Sequence, residues 1–427
     1  MTVYPTYKDS GIEWLGQIPT HWDLLRNKIF ITEHDNVVGQ DAYKYTLLSL
    51  TKQGVIQRDI ESGKGKFPKE FDNYKIVESG NIIFCLFDVD ETPRTVGLSS
   101  IDGMITGAYN VFSIKGINSQ FYYYYFLAVD EAKALRPLYS GLRKVVKTER
   151  FAGLRIPVPP EEEQRQIVAY LDYKSNKINE RICQRERELQ TLSELKQAEI
   201  ATVVTRGLVP NVPMKESGIE WLGKIPAHWN VKRIASVSHE INDSNVTMEY
   251  TQPSQFKFGE IVLKSIIGEG EYDENIKKCT LFKKNDILIN GLNLNYDFVT
   301  QRVAKSNYDG IITPAYIVIR VKDGLSADYA MFLFKSVDNK KIFNGWGTGI
   351  RLTLSYKELK KQCIPIPPKE EQDAIVAYLQ SRITFIDNYI AKLKEEINYL
   401  QEYKQRLISD VVTGKVDVRG VEIPNEE

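Results

Sequence analysis

Apolar residues fall along the chain in two patterns, a seven-residue recurrence and short unbroken runs, and each marks a different element. Over residues 369–413, Leu379, Ile386, Leu393, Leu400 and Leu407 return at every seventh position, with Ile383, Ile390, Ile397, Lys404 and Val411 as a companion row. Nine of these ten are apolar, which is the seam of a helix that packs along another helix. The stretch from residue 161 to Gly207 has the same rows, Leu171, Ile178, Arg185, Leu192, Glu199 and Ser175, Ile182, Leu189, Lys196, Val203, but only six are apolar. It opens with Pro160 suited to the first helical position and Glu161, Glu162 and Glu163 in the first turn, where negative charge suits the helix dipole. At about 1.5 Å per residue each helix is a rod of roughly 65–70 Å. Such length needs a partner. The polar seam residues leave open that each helix only bridges solvent on its own globule; antiparallel pairing of the two is preferred. Shorter apolar runs at 81–87 (NIIFCLF) and 286–290 (DILIN) read as buried strands that deliver the polar loops 88–95 and 291–302.

The chain is written twice. Residues 8–22 (KDSGIEWLGQIPTHW) return as 215–229 (KESGIEWLGKIPAHW), identical at 12 of 15 positions, and residues 156–171 (IPVPPEEEQRQIVAYL) return as 364–379 (IPIPPKEEQDAIVAYL), identical at 12 of 16. Between them the match is fainter but in register, with 102–109 paralleling 309–316 and Gly141-Leu142-Arg143 paralleling Gly349-Ile350-Arg351. A period near 207 residues is too long for a solenoid. It gives a tandem of two domains with a shared framework and unlike interiors. The segmentation is 1–155, globule; 156–208, spacer helix; 209–363, globule; 364–427, spacer helix and tail. The fold class is mixed α/β, with two similar globules and two long helices paired as an antiparallel coiled coil, pseudo-two-fold symmetric and spacing the globules as a caliper.

Composition narrows the function. The 427 residues are 42% hydrophobic and 26% charged, ordinary for a globular chain with a sizeable core. No apolar run is long enough to span a bilayer and residues 1–10 contain no signal core, so a cytoplasmic location with no membrane partner is expected. Lys plus Arg equal Asp plus Glu at 56 each, so nucleic-acid contact must use local patches. Cys85, Cys183, Cys279 and Cys363 form no C-x-x-C pair and are expected to be free, buried thiols, and the four histidines lack a metal-ligand spacing, so no metal is expected. His21 and His228, each beside a tryptophan, are read as docking residues.

The motifs KxSGIEWLGxIPxHW at 8–22, IPxPP at 156–160 followed by Glu163-Gln164, and VVTGK at 411–415 resemble the specificity subunit of Type I restriction-modification systems, across essentially the whole chain. The resemblance implies two target-recognition domains, each reading one half of a bipartite site on double-stranded DNA, with helices that space them and dock the methyltransferase subunits. It also implies a restriction/translocase partner and no catalysis in this chain. S-adenosylmethionine, ATP and Mg would serve the partner subunits, with no cofactor bound here. The sequence agrees, because it has neither a GxxxxGK[ST] phosphate loop nor a DPPY or NPPY element.

A common framework with unlike loops is what two different half-site readers need, since base-edge contacts specify and the scaffold positions. The first loop offers Arg94 and Thr95; the second offers Asn293, Asn295, Gln301 and Arg302. A bidentate Arg suits guanine, and Asn or Gln suits adenine. Residues 141–150 add Arg143, Lys144, Lys147 and Arg150 against one acid, and the second copy adds Arg351, Lys357, Lys360 and Lys361, for phosphates or simply to cover a helix surface. Lys64, Lys66 and Lys69 are a further basic group. Tyr109 and Tyr316 are read as core. Two rival readings stand beside this one: a nuclease using Asp338, Glu358 and Lys360, and a coiled-coil scaffold with no DNA role.

Overall fold

The computed structural model of the chain describes residues 2–58, 70–140, 144–257, 259–264, 273–295 and 301–424. Lys64, Lys66, Lys69 and Arg143 lie outside them. There are two compact units, Met1–Arg185 with Glu395–Glu427, and Glu186–Lys394. Each therefore takes in one globule and part of both long helices, a division by packing that crosses the sequence segments.

The first unit is built on a four-stranded antiparallel sheet in the order Ile31–His34, Asn110–Ile114, Ile82–Phe84, Val96–Leu98. The buried run around residue 82 supplies an inner strand, shorter than the seven apolar-rich residues suggest. Successive side chains of a strand point to opposite faces. Ile82 and Phe84 accordingly enter the main core with Phe112, Phe121, Phe126 and Phe151, while Ile83 packs on the other face with Leu48, Val77 and Val111. Both faces are covered, which explains the unbroken apolar run. Asn118 caps the helix Ser119–Glu131, which lies against this core.

The second unit repeats the plan with Ser238–Glu240, Ile317–Val321, Ile287–Ile289 and Val303–Lys305 in the same order, and helix Ala327–Asn339 capped by Ser326. Ile287 and Ile289 face the main core, and Leu288 faces the other side. A second four-stranded sheet, Glu260–Leu263, Pro253–Lys257, Gly310–Ile312, Thr280–Phe282, covers that side.

The long helices are Glu161–Arg206 and Lys369–Val412. Within each unit their segments run antiparallel, as the cross-helix pairs show. In the first unit Arg185 pairs with Glu396 at 3.0 Å and Lys404 donates to Asn179 at 2.8 Å. In the second, Lys196 pairs with Asp387 at 2.6 Å and Arg382 with Glu199 at 3.1 Å. Three of the polar residues that interrupt the first helix's seam, Arg185, Lys196 and Glu199, thus meet opposite charges on the second helix. Leu171, Val203, Leu379, Ile386, Leu393, Leu407 and Val411 bury the apolar remainder.

Two of the four cysteines, Cys85 and Cys279, are buried. Cys183 is exposed on its helix, a correction to the expectation of four buried thiols: it stands outside the seam rows, on the solvent face. Among the described residues no helix is long and apolar enough to cross a membrane.

Candidate nucleic-acid interface

The repeated HW and EQ motifs form a joint that orients each globule on its helices. Glu163, 6% exposed, accepts hydrogen bonds from Tyr4 Oη at 2.6 Å and Trp22 Nε1 at 2.9 Å, and its other oxygen lies 2.7 Å from His21 Nε2. In the second unit Glu371 meets His228 at 2.8 Å and Trp229 at 2.9 Å. The neighbouring glutamine ties down the capped helix. Gln164 donates to Pro159 O and accepts from the Asn118 N–H, while Gln372 donates to Pro367 O and accepts from the Ser326 N–H. The helix-ending glycines complete the joint: Gly414, at φ +75°, leaves a Cβ no room beside Pro19, at 2.3 Å, and Gly207, at φ +76°, none beside Glu371, at 2.7 Å. His21 and His228 dock.

On this frame the two predicted basic and polar stretches of each unit come together. In the first unit, residues 139–140 and 145–146 form a two-stranded hairpin. The segment after the inner strand pairs with it, through Val146 N to Leu86 O at 2.7 Å and Asp88 N to Lys144 O at 3.1 Å. Lys144 is held in the left-handed region, φ 47°, and its ammonium pairs with Glu91 at 2.5 Å and Asp90 at 3.6 Å. Tyr139 donates to Asp90 at 2.5 Å, and that bond, ahead of the Lys144 charge, lowers the Asp90 carboxyl. Beside them is a cleft of about 630 Å³ lined by Phe87, Asp88, Asn110, Lys144, Lys147 and Thr148. Lys147 is exposed and makes no ion pair among the described residues. Arg150 is exposed but spends its guanidinium on Leu138 O and Tyr139 O, closing the hairpin onto the following helix.

The second unit has the same arrangement. Leu354 N bonds Gly291 O at 2.8 Å and Leu294 N bonds Leu352 O at 2.9 Å, so the 291–295 loop lies along the hairpin whose ends are Thr348 and Thr353. Asn293, at φ 49°, and Asn295 are exposed at its edge. Arg351, Lys357, Lys360 and Lys361 are exposed and make no ion pair among the described residues. Gln301 is exposed and leans on Gly259, at the rim of a polar cavity of about 490 Å³ lined also by Lys335 and Asp387.

Two of the predicted contact residues are internal. Thr95 is 1% exposed and its N–H donates to Asp130 at 3.1 Å. Arg302 is 3% exposed: its N–H donates to Asp338 at 2.8 Å and its guanidinium to the carbonyls of Asn290, Leu292 and Asn293. A guanidinium that closes its own loop in this way is not available to a base. Arg94 is largely covered, 3.7 Å from Asp130. These positions share a feature, because Asp130 and Asp338 are buried at the same place in each repeat and hold the end of the polar loop. Burial raises the Asp338 carboxyl against the pull of Arg302. The anchoring role of the two aspartates was missed from sequence, although their separation of 208 residues was the available signal. Asp338 takes the Arg302 N–H inside the unit, while Lys360 is exposed. Tyr109 and Tyr316 are partly buried against the small cores, as expected.

A family model described as the Type I restriction modification DNA specificity domain matches residues 39–189 and 226–399. Over 95% of the chain and 96% of the relative, the sequence is 21% identical to a type I restriction enzyme MjaX specificity subunit of Methanocaldococcus jannaschii. It is 25% identical to the MjaVIII specificity subunit of the same organism, over 64% of each chain. A solved structure reported under complex assembly and conformational transition of the type I R-M system has a similar fold, with a TM-score of 0.64 at 16% identity, over 93% of this chain and 99% of that one.

Proposed function

Because the chain belongs to the Type I restriction modification DNA specificity family, we propose that each of its units reads one half of a bipartite site on double-stranded DNA. Recognition of DNA sequence is the function of a specificity subunit. The loop and hairpin of each unit are its reading surface. One observation carries this: the two units share strand order, joint and buried aspartate, whereas the paired loops differ, with Asp90, Glu91, Lys144 and Lys147 in one and Asn293, Asn295 and Arg351 in the other. Unlike reading groups on a like scaffold suit two unlike half-sites.

In this reading the chain is not itself an enzyme. Methyltransferase subunits and a restriction/translocase subunit do the chemistry, with S-adenosylmethionine, ATP and Mg, in the cytoplasm. The long helices set the gap between readers and dock the methyltransferase; their outward Phe385, Tyr399 and Tyr403, all exposed, suit a partner helix.

The test is an exchange of residues 23–155 for the matching segment of a relative, followed by mapping of methylated adenines in the host genome. One half-site should change and the other persist. If both change together, the units do not read separately.

A further inference from the structure

Ile350 is 100% exposed, more than any other large hydrophobic residue among those described. Its setting is not a loose loop. Thr348 and Thr353 exchange both backbone hydrogen bonds, at 3.0 and 2.9 Å, and Leu352 N closes the tip onto Gly349 O at 3.0 Å. Four residues, Gly349-Ile350-Arg351-Leu352, therefore make a pinned turn. Gly349 is at φ +80°, the region glycine favours, but Leu352 is also left-handed, at φ 44°. Glycine would relieve that strain. Leucine instead packs inward on the unit's core, against Leu294 and Gly347, so the turn is anchored by one apolar side chain and presents another outward. Arg351 beside it is exposed and makes no ion pair among the described residues. The first copy has Leu142 at the matching place, between Gly141 and Arg143. Most of the surrounding residues differ between the copies; an apolar residue flanked by glycine and arginine is kept.

We propose that Ile350 is an apolar wedge that enters the stack of the half-site read by the second unit, partly unstacking one base step, with Arg351 on the adjoining phosphate. The inference rests on the DNA reading given above. An apolar side chain fixed on a rigid turn can replace a neighbouring base in the stack and so keep a kinked duplex open, while a flexible one could not hold the step. An exposed isoleucine gains this contact only when DNA is bound, so its water-facing position in the free chain is the resting state of the device. Separation of a base from its neighbours is also what a partner that modifies a base must achieve.

The test uses the full-length chain assembled with its methyltransferase partners and cognate duplexes carrying 2-aminopurine at one position at a time across that half-site. The wild type should brighten one step. Ile350→Ala should lose the signal and bind the cognate duplex about five- to tenfold more weakly with an unchanged salt slope, and Ile350→Leu should keep both. Equal brightening with Ile350→Ala overturns the wedge, as does a loss of partner assembly with the signal intact, which would make Ile350 a protein contact. Binding by the wild type without brightening sinks the wedge alone. Failure of the wild type to bind any duplex removes the DNA reading and the wedge with it.

Discussion

Replacement of Glu163 by Ala should open the first unit selectively. Tyr4 and Trp22 are 2% and 0% exposed and both give their polar hydrogen to this one carboxylate. Each buried donor left unpaired costs about 1–3 kcal/mol. His21, with 38% of its side chain exposed, can turn to water, so we expect a loss of roughly 3–5 kcal/mol. Glu163→Gln keeps an oxygen for both donors but gives up the charge, and should cost about 1 kcal/mol. Glu371 holds one buried donor, Trp229, and one half-exposed histidine, so Glu371→Ala should cost about 1–2 kcal/mol and open the second unit. With two units a single melting point is not a defined quantity. Hydrogen exchange of the full chain resolves them peptide by peptide. The reasoning is refuted if Glu163→Ala lowers the opening free energy of the first unit by less than about 1 kcal/mol, or lowers both units alike.

Glu91→Gln should leave Lys144 with only the longer pair to Asp90, at 3.6 Å, and strengthen binding to all duplexes about two- to threefold, with a steeper salt dependence. Lys147→Ala should weaken all duplexes and reduce the salt slope by about one; a loss confined to cognate DNA, in filter binding over a range of salt, would show that Lys147 reads a base. Insertion of four residues into each long helix adds about 6 Å and turns the seam by about 400°, nearly in register. Methylation on duplexes of varied gap should then prefer one or two further base pairs, at about 3.4 Å each, and an unchanged optimum in a folded, active variant would show that the helices do not set the gap.

Repeats and helix seams were legible because they are written in apolar periodicity, which depends on few neighbours. The joint was half legible: duplicated His, Trp and Glu-Gln announced importance, but their meeting across about 140 residues is a property of the folded unit. The reading surface was legible as segments and not as residues. Thr95 and Arg302 look like polar loop groups, but Asp130 and Asp338 hold their backbone N–H groups and loop carbonyls take the Arg302 guanidinium. The seam's Arg185 and Glu199 look like defects until Glu396 and Arg382 are seen opposite them. In each case a polar residue's role depends on a partner far along the chain, which single-segment patterns do not contain.

The first unit is discontinuous and the second is not, and ribosomal synthesis makes these unequal. Residues 186–394 can fold as soon as they emerge. The first globule must wait through those 209 residues, about 10–40 s at ordinary elongation rates, for Leu407, Val411 and Val412 to cover Ile167, Leu171 and Ile178 and for Gly414 to seat on Trp22. During that interval an apolar row of the first helix is bare on a nascent chain. The half that is translated first is therefore the half completed last, and it is the natural client for a chaperone that binds exposed hydrophobic helix.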